Sequence, residues 1–211
     1  LLGDERISTV VALARSFGSS VAGRLARGPI DVTDEASVAA AAERLPGLPS
    51  LVIVATGSLF EPEKTYRALD PAAMLRSYAL NTVGPALVAK HLLPRMAPGR
   101  AVFAALSARV GSIGDNRAGG WHSYRASKAA LNMIVRNLAI EVARKSPALI
   151  CVALHPGTVD TALSRPFQRG VAEGKLFTPA FAAARLLAVI DGLQPEQSGC
   201  QVAWDGVVVP P

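Results

Sequence analysis

The sequence predicts an α/β fold: a doubly wound parallel sheet with helices on both faces. Three observations predict it. Short apolar or β-branched runs alternate with longer amphipathic ones along the 211 residues. The short runs are apolar throughout, as in strands covered on both faces. Small polar and turn-forming residues follow these runs, which places a polar site along one edge of the sheet.

Residues 7–14 (ISTVVALA) read as a strand, and 30–32 as a short strand end. Residues 34–45 form a helix, with Thr33 or Asp34 as its cap. Residues 51–55 (LVIVA) are a buried strand, with Gly57 just beyond it. Residues 71–96 are a long helical stretch, broken near Gly84-Pro85. Residues 101–106 are a strand. Residues 122–145 are a strong helix, with Ala130, Ile134, Leu138 and Val142 at helical spacing. A buried strand at 149–154, a helix at 179–193 and a strand at 201–204 complete the pattern. No linker interrupts it, so 1–211 read as one domain.

Composition narrows the classes. The chain is 50% hydrophobic and 18% charged, which is globular rather than disordered. Its apolar runs are too short to cross a bilayer, and its start does not read as a signal peptide. There are 22 Lys+Arg against 16 Asp+Glu, but the cations are dispersed and aromatics make up only 5%. The dispersed cations read as a solvated basic surface, with an anionic small molecule such as a phosphate-bearing cofactor as the alternative; neither a nucleic acid nor a membrane is expected as partner. Cys151 and Cys200 form no CxxC and no His/Cys cluster, so no metal is expected. Reduced thiols in a cytoplasmic protein are the expectation; a disulfide between the two needs an oxidising compartment.

The sharpest chemistry is Tyr124 and Lys128. At i and i+4 on a helix they share a face. A phenol is a poor acid or base near neutrality, with a reference pKa of about 10, and a nearby ammonium favours its phenolate. Ser107, His155 and Asp160 supply the letters of a hydrolase triad, but no GxSxG elbow surrounds Ser107.

Asn81, Ser107, Tyr124 and Lys128 occur in this order. Ser107 ends a strand and Tyr124 opens a helix. Around them stand Asn81-Thr82-Val83-Gly84, Leu106-Ser107-Ala108-Arg109-Val110-Gly111-Ser112, Gly119-Gly120-Trp121-His122-Ser123-Tyr124-Arg125-Ala126-Ser127-Lys128 and His155-Pro156-Gly157-Thr158-Val159-Asp160-Thr161. Over nearly the whole chain this resembles the short-chain dehydrogenase/reductase family, in the branch of Sniffer-type carbonyl reductases and C-factor. The resemblance implies a single NAD(P)-binding Rossmann-type domain acting on a small carbonyl or alcohol. It implies that Tyr124 exchanges a proton with the carbonyl oxygen as hydride moves. Lys128 lowers the Tyr124 pKa and binds the nicotinamide ribose. Ser107 holds the carbonyl, and Asn81 fixes a water behind Lys128. Pro156, Gly157, Thr158 and Thr161 hold the nicotinamide face, and Asp31-Val32 contact the adenine. Residues 162–178 cap the substrate, with Pro166, Phe167 and Phe177 as lid residues. The resemblance also implies a homodimer or homotetramer, paired through 71–96 and 122–145.

The chain departs from the family pattern in three places. Val54-Ala55-Thr56-Gly57 replaces the usual NNAG, which leaves Thr56 and Gly57 for backbone contacts with the cofactor. Ser107-Ala108 replaces a frequent Ser-Ser pair, so Ser107 is the first candidate for the carbonyl and Ser112 the fallback. The family's first strand and Gly-rich TGxxxGxG loop are absent from this sequence; the resemblance places them on about 20–25 further N-terminal residues, one strand-loop-helix unit. Arg15 and Ser16 follow the first strand present, where an acidic residue would select NAD(H). A guanidinium there suits a 2′-phosphate, so NADP(H) is favoured. The rival is a nucleotide-binding signalling member of the family with little turnover.

Overall fold

In the computed structural model, residues 1–16, 23–60 and 62–211 are described. The chain forms β1 (Val10–Ala14), β2 (Leu25–Pro29), α1 (Glu35–Glu43), β3 (Leu51–Val54), α2 (Pro71–Tyr78), α3 (Gly84–Leu92), β4 (Ala101–Leu106) and α4 (His122–Ala143). It continues through β5 (Leu149–His155), β6 (Thr158–Val159), β7 (Leu176–Phe177), α5 (Pro179–Gly192), β8 (Gln201–Ala203) and β9 (Val208–Val209). The expected α/β architecture is present.

The central sheet runs β3-β4-β5-β8-β9, parallel from β3 to β8. Its two faces carry two apolar clusters. Phe103, Ala105, Cys151 and Ala153 pack with residues of α1, α3 and α4. Val102, Ala104, Ile150, Val152 and Leu154 pack with Leu186 and Ile190 of α5. Alternate residues of one strand thus enter opposite cores, which is why β4 and β5 read as continuous apolar runs. Cys151 lies in the first cluster and Cys200 against the second, and both thiols are free. No disulfide joins them.

Three differences from the sequence reading have local causes. β1 and β2 pair in parallel as a sheet of their own, and β1 makes no ladder with β3 among the described residues. In the order 3-2-1-4-5-6, the place between the second and fourth strands belongs to the first. The second strand ends at Pro29, ahead of the Ile30–Val32 segment expected to be strand: Thr33 N–H and Oγ donate to Asp31 Oδ1, which turns the chain toward α1. The last strand, β9, was unforeseen. It returns antiparallel on β8, so the sheet is mixed.

Helix starts follow capping chemistry. Asp34, Asp70 and Thr178 each accept a first-turn N–H, and Pro71 and Pro179 occupy the first helical position of α2 and α5. The break expected near Gly84-Pro85 comes one turn earlier, as a π-helical turn over Ala79–Val83 that joins α2 to α3. Such turns often mark functional positions, and this one carries Asn81.

Candidate active site

Four segments meet at the carboxyl ends of β3, β4 and β5. Asn81 is fully buried on the π turn. Its Oδ1 accepts the Ser58 N–H (2.9 Å), and its Nδ2 donates to Ser58 O (2.9 Å) and Ser127 Oγ (3.1 Å). The amide therefore clamps the segment after β3 to α4. Both amide N–H groups are thereby committed to protein acceptors.

Lys128 is buried, and its Nζ donates to Leu106 O (2.9 Å) at the end of β4. Burial pulls its ammonium down to about 8. Tyr124 lies one turn earlier on the same face; the ammonium is 5.8 Å from its ring centroid. Burial pushes the phenol up to about 12. Gly57 sits against this pair: a Cβ there would lie 3.2 Å from Lys128 Nζ and 3.3 Å from Asn81 Oδ1. Gly111 is a second close approach, its absent Cβ 2.8 Å from the Lys128 backbone.

Ser107 is buried and its N–H donates to Leu154 O (2.8 Å). Its Oγ donates to Asn132 Oδ1 (2.7 Å), and Asn132 Nδ2 donates to Gln201 Oε1 (3.2 Å). The hydroxyl expected to hold a carbonyl thus faces α4 and β8. Asn132 stands four residues after Lys128 and shares its face of α4. The fallback, Ser112, accepts the Asp115 N–H (3.0 Å) and reaches Pro211 O at 3.5 Å.

The turn after β5 lies alongside. Gly157 adopts φ +78°, and a Cβ there would come within 2.6 Å of the Phe177 ring. Phe177 is buried against Trp204 (4.6 Å between centroids), so it supports this turn rather than serving as lid. Phe167 packs at a tilt against Trp121 (4.6 Å between centroids), just ahead of α4. Pro156 is half-buried, Thr158 begins β6, and Thr161 is exposed, with its N–H donating to Ser164 Oγ (3.3 Å). His155 Nδ1 accepts the Arg109 N–H (3.3 Å), and burial drives its imidazole down to about 4. His155 and Asp160 therefore form no triad with Ser107, whose hydroxyl bonds Asn132.

The cofactor candidates divide into two groups. Arg15 and Ser16 are exposed beyond β1. Asp31 follows β2; its two Thr33 hydrogen bonds, and more weakly the Arg15 charge, hold its carboxyl low. Val32 is buried under Gly84, where a Cβ would meet it at 2.8 Å. Near the catalytic group, Thr56 Oγ is buried without a partner, and Gly57 keeps the space before Lys128 and Asn81 open. An orphan hydroxyl and a side-chain-free approach to an ammonium suit a polyhydroxylated ligand such as a ribose.

Residues 3–171 match the model of the short chain dehydrogenase family. The chain belongs to the short-chain dehydrogenase/reductase family. It is an oxidoreductase of that family, with the Rossmann-type α/β fold. It is 37% identical over 173 residues to 1-hydroxy-2-glutathionyl-2-methyl-3-butene dehydrogenase of Rhodococcus sp. (strain AD45), covering 81% of this chain and 73% of that one. It is 38% identical over 144 residues to C-signal of Myxococcus xanthus, covering 67% and 81%. The NADPH-bound carbonyl reductase from chicken fatty liver superposes with a TM-score of 0.78 at 29% identity, covering 97% and 88%. Sniffer carbonyl reductase of D. melanogaster superposes with a TM-score of 0.78 at 23% identity, covering 89% and 79%. Among the described residues no helix is long and apolar enough to cross a membrane.

Ser58 and Ser127, the partners of Asn81, carry no signal in the sequence. They act through hydrogen bonds between segments remote in sequence, and no spacing announces them.

Proposed function

We propose that this chain is an NADP(H)-dependent reductase that interconverts a small carbonyl compound and its alcohol, with Tyr124 as the proton donor and acceptor. The observation that carries the reading is the buried Tyr124–Lys128 pair, with the Gly57 approach open beside it. A bound reduced nicotinamide supplies the hydride. The protein supplies the rest. The Tyr124 phenol, pushed up further by burial, is protonated at neutral pH, the form needed to donate to a carbonyl oxygen. Lys128 keeps its ammonium below about pH 8 and, with that charge, favours the phenolate left after donation.

Asn81 holds Ser58 and, through Ser127, the turn of α4 that carries Lys128. Lys128 and Thr56 hold the ribose side of the cofactor, Pro156, Gly157, Thr158 and Thr161 its nicotinamide face, and Asp31 and Val32 its adenine. Arg15 and Ser16 take the 2′-phosphate, which favours NADP(H) over NAD(H). The NADPH in the chicken enzyme supports that choice. Ser107 holds the carbonyl by exchanging its bond to Asn132 for one to substrate. A homodimer or homotetramer and a cytoplasmic location complete the proposal.

The Ser107–Asn132 bond and Ala108 favour one rival, a nucleotide-binding member with little turnover. Consumption of NADPH over a panel of aldehydes and ketones decides. The reading predicts turnover in the wild type and its collapse in Tyr124→Phe. Tight NADPH binding without turnover supports the rival, and unchanged turnover in Tyr124→Phe refutes the role of Tyr124.

A further inference from the structure

Glu63 lies on the segment between β3 and α2, 61 residues before Tyr124, and is one of the few buried charged residues. Its carboxylate accepts two bonds from one residue, Ser123: the N–H at 3.2 Å and the Oγ–H. Its main-chain oxygen accepts the Trp121 N–H (2.6 Å). These are donors at the start of α4, where N–H groups have no partner within the helix. The residue at the cap itself, Trp121, makes no side-chain cap bond. Glu63 therefore does from a distance what a local Asp or Thr does at α1, α2 and α5.

The turn it holds is unusual. Gly119, Gly120 and Trp121 have φ of +61°, +64° and +51°, and Trp121 is the one non-glycine with positive φ among the described residues. Such a conformation in a bulky residue is strained and persists only where its surroundings fix it. A Cβ on Gly120 would lie 3.5 Å from Glu63 O and 3.4 Å from Lys64 O, so the turn packs closely on this segment. The carboxylate also stands at the positive end of a 22-residue helix, where a negative charge is favourable. Tyr124 follows Ser123 directly.

We propose that Glu63 is a positioning residue for Tyr124: it anchors the first turn of α4 and so sets where the phenol stands. The inference rests on the oxidoreductase reading for its kinetic arm and on hydrogen exchange for its structural arm. Glu63→Gln separates geometry from charge. The amide oxygen still accepts the Ser123 N–H, and the Ser123 hydroxyl can turn to accept from the amide NH₂. Glu63→Ala removes both acceptors.

The experiment measures NADPH-linked turnover and peptide-level hydrogen exchange over residues 121–128 in wild type, Glu63→Gln, Glu63→Ala and Ser123→Ala. The expected result in Glu63→Ala is a kcat lower by about tenfold or more, which corresponds to about 1.4 kcal/mol. The KM for NADPH stays within about twofold and exchange over 121–128 is faster. Glu63→Gln keeps kcat within about threefold and retains protection, and Ser123→Ala falls between the two. Unchanged exchange in Glu63→Ala overturns the inference whether or not the protein turns over. So does an unchanged kcat beside a lowered Tm, the signature of a merely stabilising contact. A wild type without turnover overturns the proposed NADPH-linked carbonyl reduction, and the exchange data then decide the anchoring role alone.

Discussion

Lys128 is a buried cation without a carboxylate partner among the described residues, and Lys128→Met makes its cost measurable. Burial brings the ammonium down to about 8 from its ordinary 10.5. A gap of about 2.5 pH units corresponds to about 3 kcal/mol of destabilisation at pH 7. Between the two values the unfolded chain binds more protons at this site than the folded chain. Stability from this group therefore rises with pH from about 8 to about 10.5, by about 2 kcal/mol between pH 7 and 9.5. Methionine has similar length and no charge to bury. It leaves Leu106 O without its Nζ donor, a loss of about 1–2 kcal/mol. The variant should be more stable than wild type at pH 7 by about 1–2 kcal/mol, lose that advantage by about pH 9.5, and lack activity. Urea denaturation of both proteins at the two pH values reads this directly. Parallel stability–pH curves for wild type and variant would refute the buried-ammonium reasoning.

Gly157→Ala should destabilise by about 2–4 kcal/mol, since φ +78° is strained for alanine and its Cβ meets the Phe177 ring at 2.6 Å; thermal denaturation checks it. Asn132→Ala should free the Ser107 hydroxyl and leave Gln201 without a partner, costing about 1–3 kcal/mol of stability. If Ser107 holds the carbonyl, Ser107→Ala should cut kcat by about 100-fold while Asn132→Ala cuts it far less; equal losses in steady-state assays would assign both residues to structure. Arg15→Ala should raise the KM for NADPH about tenfold and leave that for NADH within about twofold. An equal change for both cofactors would remove Arg15 from the 2′-phosphate.

How much was legible differs between fold and site for physical reasons. β4 and β5 were read within a residue because both faces are covered and their apolar runs are continuous. α4 was placed by its periodicity and by the spacing of Tyr124 and Lys128. β2 lies just ahead of the strand end expected at 30–32, because LARGP carries Arg27, Gly28 and Pro29, a poor strand sequence, and its pairing with β1 is a tertiary fact. The π turn at Asn81 was displaced by a reliance on Gly84-Pro85, though proline is tolerated at a helix start. In the site, residue types were legible but hydrogen-bond directions were not. Ser107 occupies the expected strand end, yet its proton goes to Asn132, and Asn81 bonds Ser58. Glu63 was invisible because its partner lies 60 residues away.

The central claim is hydride transfer to a carbonyl with Tyr124 as acid. The most direct measurement follows the hydride itself: NADPH deuterated at the transferred position is incubated with a carbonyl substrate, and the product is read by mass spectrometry. The account predicts one deuterium on the new carbinol carbon with wild type and no product with Tyr124→Phe. An unlabelled alcohol, or labelled alcohol formed at the wild-type rate by Tyr124→Phe, would contradict it.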